Sequence, residues 1–361
     1  MSSRRIDGAA SLAASPGSTL VVIGNFDGVH LGHCTMVHSA VQEAQKNGLA
    51  PLVLTFYPHP AEVLGRGKQE VLTPLDYKIE LLGRAAPELR VVVERFTREL
   101  AGKSPRQFAE ELLVGELGAG VVIVGDNFRF GKGRAGDVST LVALGKELGF
   151  VAHTHALEGD AEGPYSSSRV RDAVRSGDLP TATRILGRPH ALSGGVVRGD
   201  GRGRTIGIPT ANIAPVPELL PPFGVYACVV DDITDPAAPR ALAPAVTNIG
   251  QRPTFDASFS VETHLLDWDG NHDHDGNRDH DGDRDRDRAG NRDGNHDHDG
   301  NRDHAGNRDL YDKRLRVHLV ARLRDERKFP NKDALVAQIQ QDIAQARPLL
   351  APLSPKTPTW F

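Results

Sequence analysis

At 361 residues, with 39% apolar content and a formal charge of −4, the chain is too long for one small domain and suits two, each with its own core. The charge balance excludes the basic excess of a non-specific nucleic-acid binder. No run approaches the ~18 apolar residues of a spanning helix, and two distant cysteines, Cys34 and Cys228, exclude a disulfide framework or a cysteine-ligated metal.

In chain order, residues 1–19 read as a loose tail without a signal-peptide core, so a cytoplasmic protein that meets no membrane is expected. Leu20–Ile23 predicts a short buried strand ending at Gly24, and the spacing from Leu31 to Lys46 predicts a helix stopped by Gly48. Strands at Pro51–Phe56, Arg90–Glu94, Gly120–Val124 and Val151–Leu157 alternate with helices at Tyr77–Leu82, Pro105–Leu113 and Leu141–Gly149. Helices at Ser168–Ser176 and Leu179–Leu186 close this half. Such alternation implies a parallel sheet.

From Gly187 the texture changes. Ser193–Arg198, Val225–Asp231, Ala241–Ile249, Ser260–Leu266 and Arg314–Ala321 are short β-type runs without helices between them, as in an antiparallel barrel or sandwich. A final amphipathic helix is expected over Lys332–Arg347, stopped by Pro348.

Residues 270–309 interrupt this half with repeats of GNHDHDGNRDH and carry twelve aspartates, seven arginines and almost no apolar side chains. They read as a disordered, solvated insertion with no catalytic role. Weak Zn²⁺ or Ni²⁺ capture by His272, His274, His296 and His298 is the alternative. An EF-hand fails because its twelfth position would be Gly282 instead of a bidentate glutamate.

Two stretches carry chemistry. GNFDGVHLGH, Gly24 to His33, runs from the first strand into a helix and places His30 and His33 on one helical face beside glycine-exposed amides, an arrangement suited to a triphosphate. GDNFRFGKGR is not a Walker A loop, since Gly133 follows Lys132 where Ser or Thr is required. In the second half, Ser193 to Asn212 reads SGGVVRGDGRGRTIGIPTAN. Its glycines let amides approach phosphate, and Thr210 and Asn212 offer hard oxygen ligands on one face of an extended segment, suited to Mg²⁺ held with ATP.

The HxGH element resembles that of class I nucleotidyltransferases, and the longer GNFDGVHLGH is similar to the version in bacterial FAD synthetases. TFYPHP (Thr55–Pro60), VGDNFRFGKGRAGD (Val124–Asp137) and SSSRVR (Ser166–Arg171) follow that family's order. The resemblance implies a Rossmann-like FMN adenylyltransferase domain over 20–186, with His30 and His33 catalytic. It also implies contacts to ATP from Gly24, Asn25, Phe26, Asp27, Gly28, Asn127, Ser166, Ser167, Ser168 and Arg171; Arg169 and His59 have solvent-facing or loop-shaping alternatives.

PTAN resembles the element of riboflavin kinases, as do LPPFGVYA (Leu220–Ala227), TNIGQRPTF (Thr247–Phe255) and VETHLLD (Val261–Asp267). It implies a kinase barrel with a terminal helix over 187–361, Glu262 as general base, Mg²⁺ on Thr210 and Asn212, phosphate contacts from Gly201 and Arg204, and flavin contacts from Asn248, Arg252 and Arg324. Asp312 stands where that family usually has glycine. Riboflavin, FMN and ATP would be substrates, with FMN and FAD as products rather than prosthetic groups. The alternatives are a riboflavin kinase with a degenerate first half, and a non-catalytic flavin-binding protein.

Overall fold

Runs such as TLVVI and AGVVIVG, apolar at consecutive positions and rich in β-branched residues, favour strands covered on both faces. In the computed structural model, which describes residues 4–65, 67, 70–156, 158–199, 203, 206–251, 259–268 and 310–353, they form the centre of a parallel sheet. Its strands are β1 (Arg5–Asp7), β2 (Thr19–Ile23), β3 (Ala50–Tyr57), β4 (Arg90–Arg95), β5 (Ala119–Gly125) and β6 (Val151–His155), in the order β1-β4-β3-β2-β5-β6. The order reverses between β2 and β5, which opens a crevice at their C-terminal ends, where open α/β sheets bind ligands.

The α-helices of this half, among the described residues, are α1 (Leu31–Asn47), α2 (Pro60–Val63), α3 (Leu75–Ala85), α4 (Arg98–Gly102), α5 (Pro105–Gln107), α6 (Val138–Leu148), α7 (Ser167–Ser176) and α8 (Leu179–Leu186). Leu20 and Val22 face α1 and α3, while Val21 and Ile23 face the opposite layer, as the two-residue period requires. A small hairpin, β7 (Gly159–Asp160) with β8 (Gly163–Pro164), precedes α7.

Three expectations need correction. Residues 5–12 are not part of a loose tail: β1 pairs in parallel with β4, with Ile6 buried, and Glu94 accepts from the Ala9 amide. The Pro105–Leu113 helix is α-helical only to Gln107, and Phe108–Glu116 is wound as a π-helix. The final helix, α9 (Lys332–Leu350), includes Pro348.

The second half is a closed barrel, β10-β13-β12-β11-β14-β9, of β9 (Ala191–Val197), β10 (Ala211–Ala214), β11 (Gly224–Asp232), β12 (Arg240–Gln251), β13 (Phe259–Leu265) and β14 (Arg314–Asp325). Ala211, Ile213, Tyr226, Cys228, Ile249, Val261 and Val317 fill its interior, while Val225, Ala227, Val229 and Val246 face outward beneath Ala346 and Leu350 of α9. Closure leaves no free sheet edge. The expected insertion over 270–309 lies outside the described residues. Asp312 takes φ 69, the left-handed conformation that glycine adopts at least cost and Asp tolerates better than most side chains.

The halves are joined through packing as well as chain. Arg316 of β14, 4% exposed, makes a bidentate ion pair with Glu80 of α3 (3.0 and 2.8 Å) and stacks 3.5 Å over the Tyr77 ring. Breaking such a buried pair on one side costs about 3–5 kcal/mol, because the remaining charge stays buried.

Candidate functional site

The turn between β2 and α1 departs from ordinary backbone. Phe26, Gly28 and Val29 have φ of 50°, 82° and 38°. For a β-branched residue such as Val29 this costs of order 1–3 kcal/mol, so the surroundings must hold it. They do so through Asp27, whose carboxylate accepts from the Leu72 and Thr73 amides and pairs with Arg171, and through Arg188, which donates to the Gly28 and Val29 carbonyls.

The turn delivers His30 to the N-cap of α1, where its Nδ1 accepts from the His33 amide at 3.3 Å. That bond leaves the proton of neutral His30 on Nε2. The His30 and His33 rings stack at 3.6 Å. Burial and then the Arg188 charge push His30 down to about 4, with Asp27 opposing. Burial, and then the charges of His30, Lys78 and Arg188, hold His33 well below the usual imidazole value. Both rings are uncharged near neutral pH and act as neutral donors and acceptors.

A cavity of about 890 Å³ lies in front of this pair. Gly24, Asn25, Phe26, His30, His33, Asn127, Ser166, Ser167 and Ser168 line it, so the ends of β2 and β5 and the start of α7 converge on it. His59 lines it too, with Nδ1 accepting from the Ala61 amide at the start of α2. The aromatic wall of Phe56, Phe96, Phe108, Phe128 and Phe130 was not foreseen; only Phe56, Phe128 and Phe130 lie in recognised motifs, and nothing in sequence links Phe96 or Phe108 to them.

Asp27, Gly28 and Arg171 do not line the cavity. They build the turn instead: Arg171 faces inward from α7 to the Asp27 carboxylate and donates to the Glu70 carbonyl at 2.8 Å. The arginine that does reach the cavity is Arg169, which also engages Asp160 (2.9 Å) and Glu162 (3.1 Å).

On the barrel, register assembles the second constellation. Asn212 of β10 pairs with Glu262 of β13, which pairs with Asn248 of β12. The three half-buried residues form a row on the outer face, since their neighbours in each strand point into the barrel. Gly199 and Gly203 pack against residues of this segment: a Cβ at Gly199 would collide with the Asn212 amide, and one at Gly203 would lie 3.2 Å from Thr210 Oγ1. Thr210 and Asn212 are hard but few donors, and among the described residues no cluster of His, Cys, Asp or Glu could hold a metal alone. This donor set fits Mg²⁺ that brings most of its ligands with ATP.

Arg324 of β14 reaches the terminal helix. Its guanidinium is bound to Asp342 of α9 at 2.8–3.0 Å, so it anchors the helix. Gly201, Arg204 and Arg252 lie outside the described residues.

A family described as FAD synthetase matches residues 12–169, and one described as riboflavin kinase matches 186–278 and 298–350. The bifunctional riboflavin kinase/FMN adenylyltransferase of Escherichia coli strain K12 is 34% identical over 347 residues, covering 95% of this chain and 96% of that protein. Its Bacillus subtilis counterpart is 32% identical, covering 91% of each. A solved structure described as a macrolide-efflux protein from Streptococcus pneumoniae shares the fold, with TM-score 0.73 at 24% identity over 95% of this chain and 99% of that one. Among the described residues no helix is long and apolar enough to cross a membrane.

Proposed function

The chain belongs to the bifunctional riboflavin kinase/FMN adenylyltransferase family, and from that premise we propose that it makes FAD in two steps at two separate sites. Riboflavin and ATP give FMN and ADP on the barrel; FMN and ATP then give FAD and diphosphate in the cavity of the parallel-sheet half.

In the first step the riboflavin 5′-hydroxyl attacks the γ-phosphorus of ATP, and Glu262 accepts the hydroxyl proton as the bond forms. Asn248, one strand away, orients the attacking group. Thr210 and Asn212 would hold the Mg²⁺ that arrives with ATP, whose charge offsets that of the phosphates.

In the second step an FMN phosphate oxygen attacks the α-phosphorus of ATP and diphosphate leaves. Neutral His30 and His33 donate to oxygens that gain charge at the α-phosphorus, where buried donors act more strongly than in water. Asn25, Asn127 and the α7 N-terminus with Ser166–Ser168 bind the rest of the polyphosphate. The phenylalanine wall suits the apolar flavin ring, and the cavity volume falls in the range of small-molecule sites.

The observation that carries this reading is the stacked His30–His33 pair at the crevice where the sheet order reverses. A time course of the full chain with riboflavin, ATP and Mg²⁺ tests it. FMN should rise and give way to FAD, and the H30A/H33A double variant should accumulate FMN without FAD. An unchanged FAD rate in that variant would overturn the site. FMN alone from the native chain would indicate a silent first half, and no ATP-dependent product would favour a flavin-binding protein.

A further inference from the structure

Arg188 lies between α8 and β9, where one half gives way to the other, and is 2% exposed. Its guanidinium donates to the Gly28 carbonyl at 2.6 Å, to that of Val29 at 3.0 Å and to that of Leu186 at 3.2 Å. A planar fork of donors can span two successive carbonyls in this way, whereas an ammonium is a point charge. The two carbonyls belong to positive-φ residues of the turn that leads into His30. The Tyr77 ring lies 5.6 Å from the same guanidinium, and on that ring stacks Arg316 of the barrel.

We propose that Arg188 is a positioning residue for adenylyl transfer, clamping the Gly28 and Val29 carbonyls so that His30 enters α1 with its ring against His33. This rests on the reading of His30 and His33 as the adenylyl-transfer pair. Arg188 touches neither substrate nor the reacting atoms; it acts through the turn.

The clamp also has an electrostatic effect. The charged groups that act on the pair are Asp27 from the turn, Lys78 from α3 and Arg188 from the junction, besides the two imidazoles themselves. Asp27 favours the protonated form of His30, while Arg188 opposes it and, after burial, is the largest influence. Arg188 acts in the same direction on His33. Removing its charge therefore moves the protonation of His30 to higher pH.

The test uses the full chain with Arg188→Gln and Arg188→Lys, assayed separately with FMN plus ATP and with riboflavin plus ATP. Histidine NMR titration runs in parallel. In R188Q the kcat for FAD formation should fall about 100-fold, the scale of loss from misplacing a catalytic group by an ångström. The kinase step should stay within about twofold of native. The His30 titration, near 4 in the native chain, should rise toward the ordinary imidazole value. R188K keeps the charge without the fork, so its titration should stay near native while FAD formation recovers only in part.

Native FAD formation in R188Q would overturn the proposal, as would parallel loss of both activities in the two variants, which would make Arg188 a residue of the fold at large. An unmoved His30 titration in R188Q would overturn it as well. Should R188Q fail to fold, R188K decides: a displaced titration or full adenylyl activity would count against the clamp, and a native titration with reduced activity would support it. Failure of the underlying site reading is scored separately, since it would appear as FAD formation by H30A/H33A whatever Arg188 does.

Discussion

The two constellations are assembled by different physical means. In the parallel-sheet half the His30–His33 pair is buried and stacked, and it hangs on a turn whose unfavourable backbone is held by Asp27 within it and by Arg171 and Arg188 from distant parts of the chain. On the barrel, Asn212, Glu262 and Asn248 need no such turn: three hydrogen-bonded strands in register set them side by side on a half-exposed face. A site built on a turn is only as rigid as the side chains that hold its carbonyls and amides. A site built on a ladder inherits the rigidity of the sheet, so damage there should remain local.

The strongest test of that contrast is Glu262→Gln. Loss of a general base should lower FMN formation by about 100- to 10,000-fold. FAD formation from supplied FMN should be unchanged, since Glu262 lies on the barrel and takes no part in the cavity; a fall in both rates would break the separation. A smaller effect is expected from Gly199→Ala. The backbone there tolerates alanine, but the new methyl must displace the Asn212 side chain. The kinase KM for ATP should rise about tenfold, a loss near 1.4 kcal/mol, with FAD formation intact. An unaltered KM would show that Asn212 is not a ligand of the ATP–metal complex. The smallest effect is assigned to Asp312→Gly, at φ 69. Relief of the left-handed cost should stabilise the fold by up to about 1 kcal/mol, read from denaturant midpoints, without altering either rate. Destabilisation instead would mean that the Asp312 side chain holds the turn before β14.

Much of the fold was legible because its signals are local. The apolar runs at β2, β3 and β5, the glycine stops after α1 and α6, and the change from alternating helices and strands to short strands near Gly187 all follow from side-chain period and backbone preference. Residues 5–7 read as a tail because a three-residue strand has no period to detect; only pairing with β4 makes it one. Pro348 reads as a stop, whereas the helix runs on to Leu350, which packs with Ala346 beneath the barrel strands.

The sequence by itself determined the motifs that the two halves carry: histidines at a helix entrance, Thr210 and Asn212 in PTAN, a glutamate in an alternating strand. These signals lie in contiguous residues whose types and spacing are set by the reaction. Tertiary structure alone decided which of them line the cavity and which are engaged within the fold. Asp27 and Arg171 turn away from the cavity to hold each other, Arg324 is spent on Asp342, and Arg188, in no recognised motif, reaches the turn from 160 residues along the chain. A buried charge must find its partner wherever packing places it, and sequence spacing carries no record of that distance.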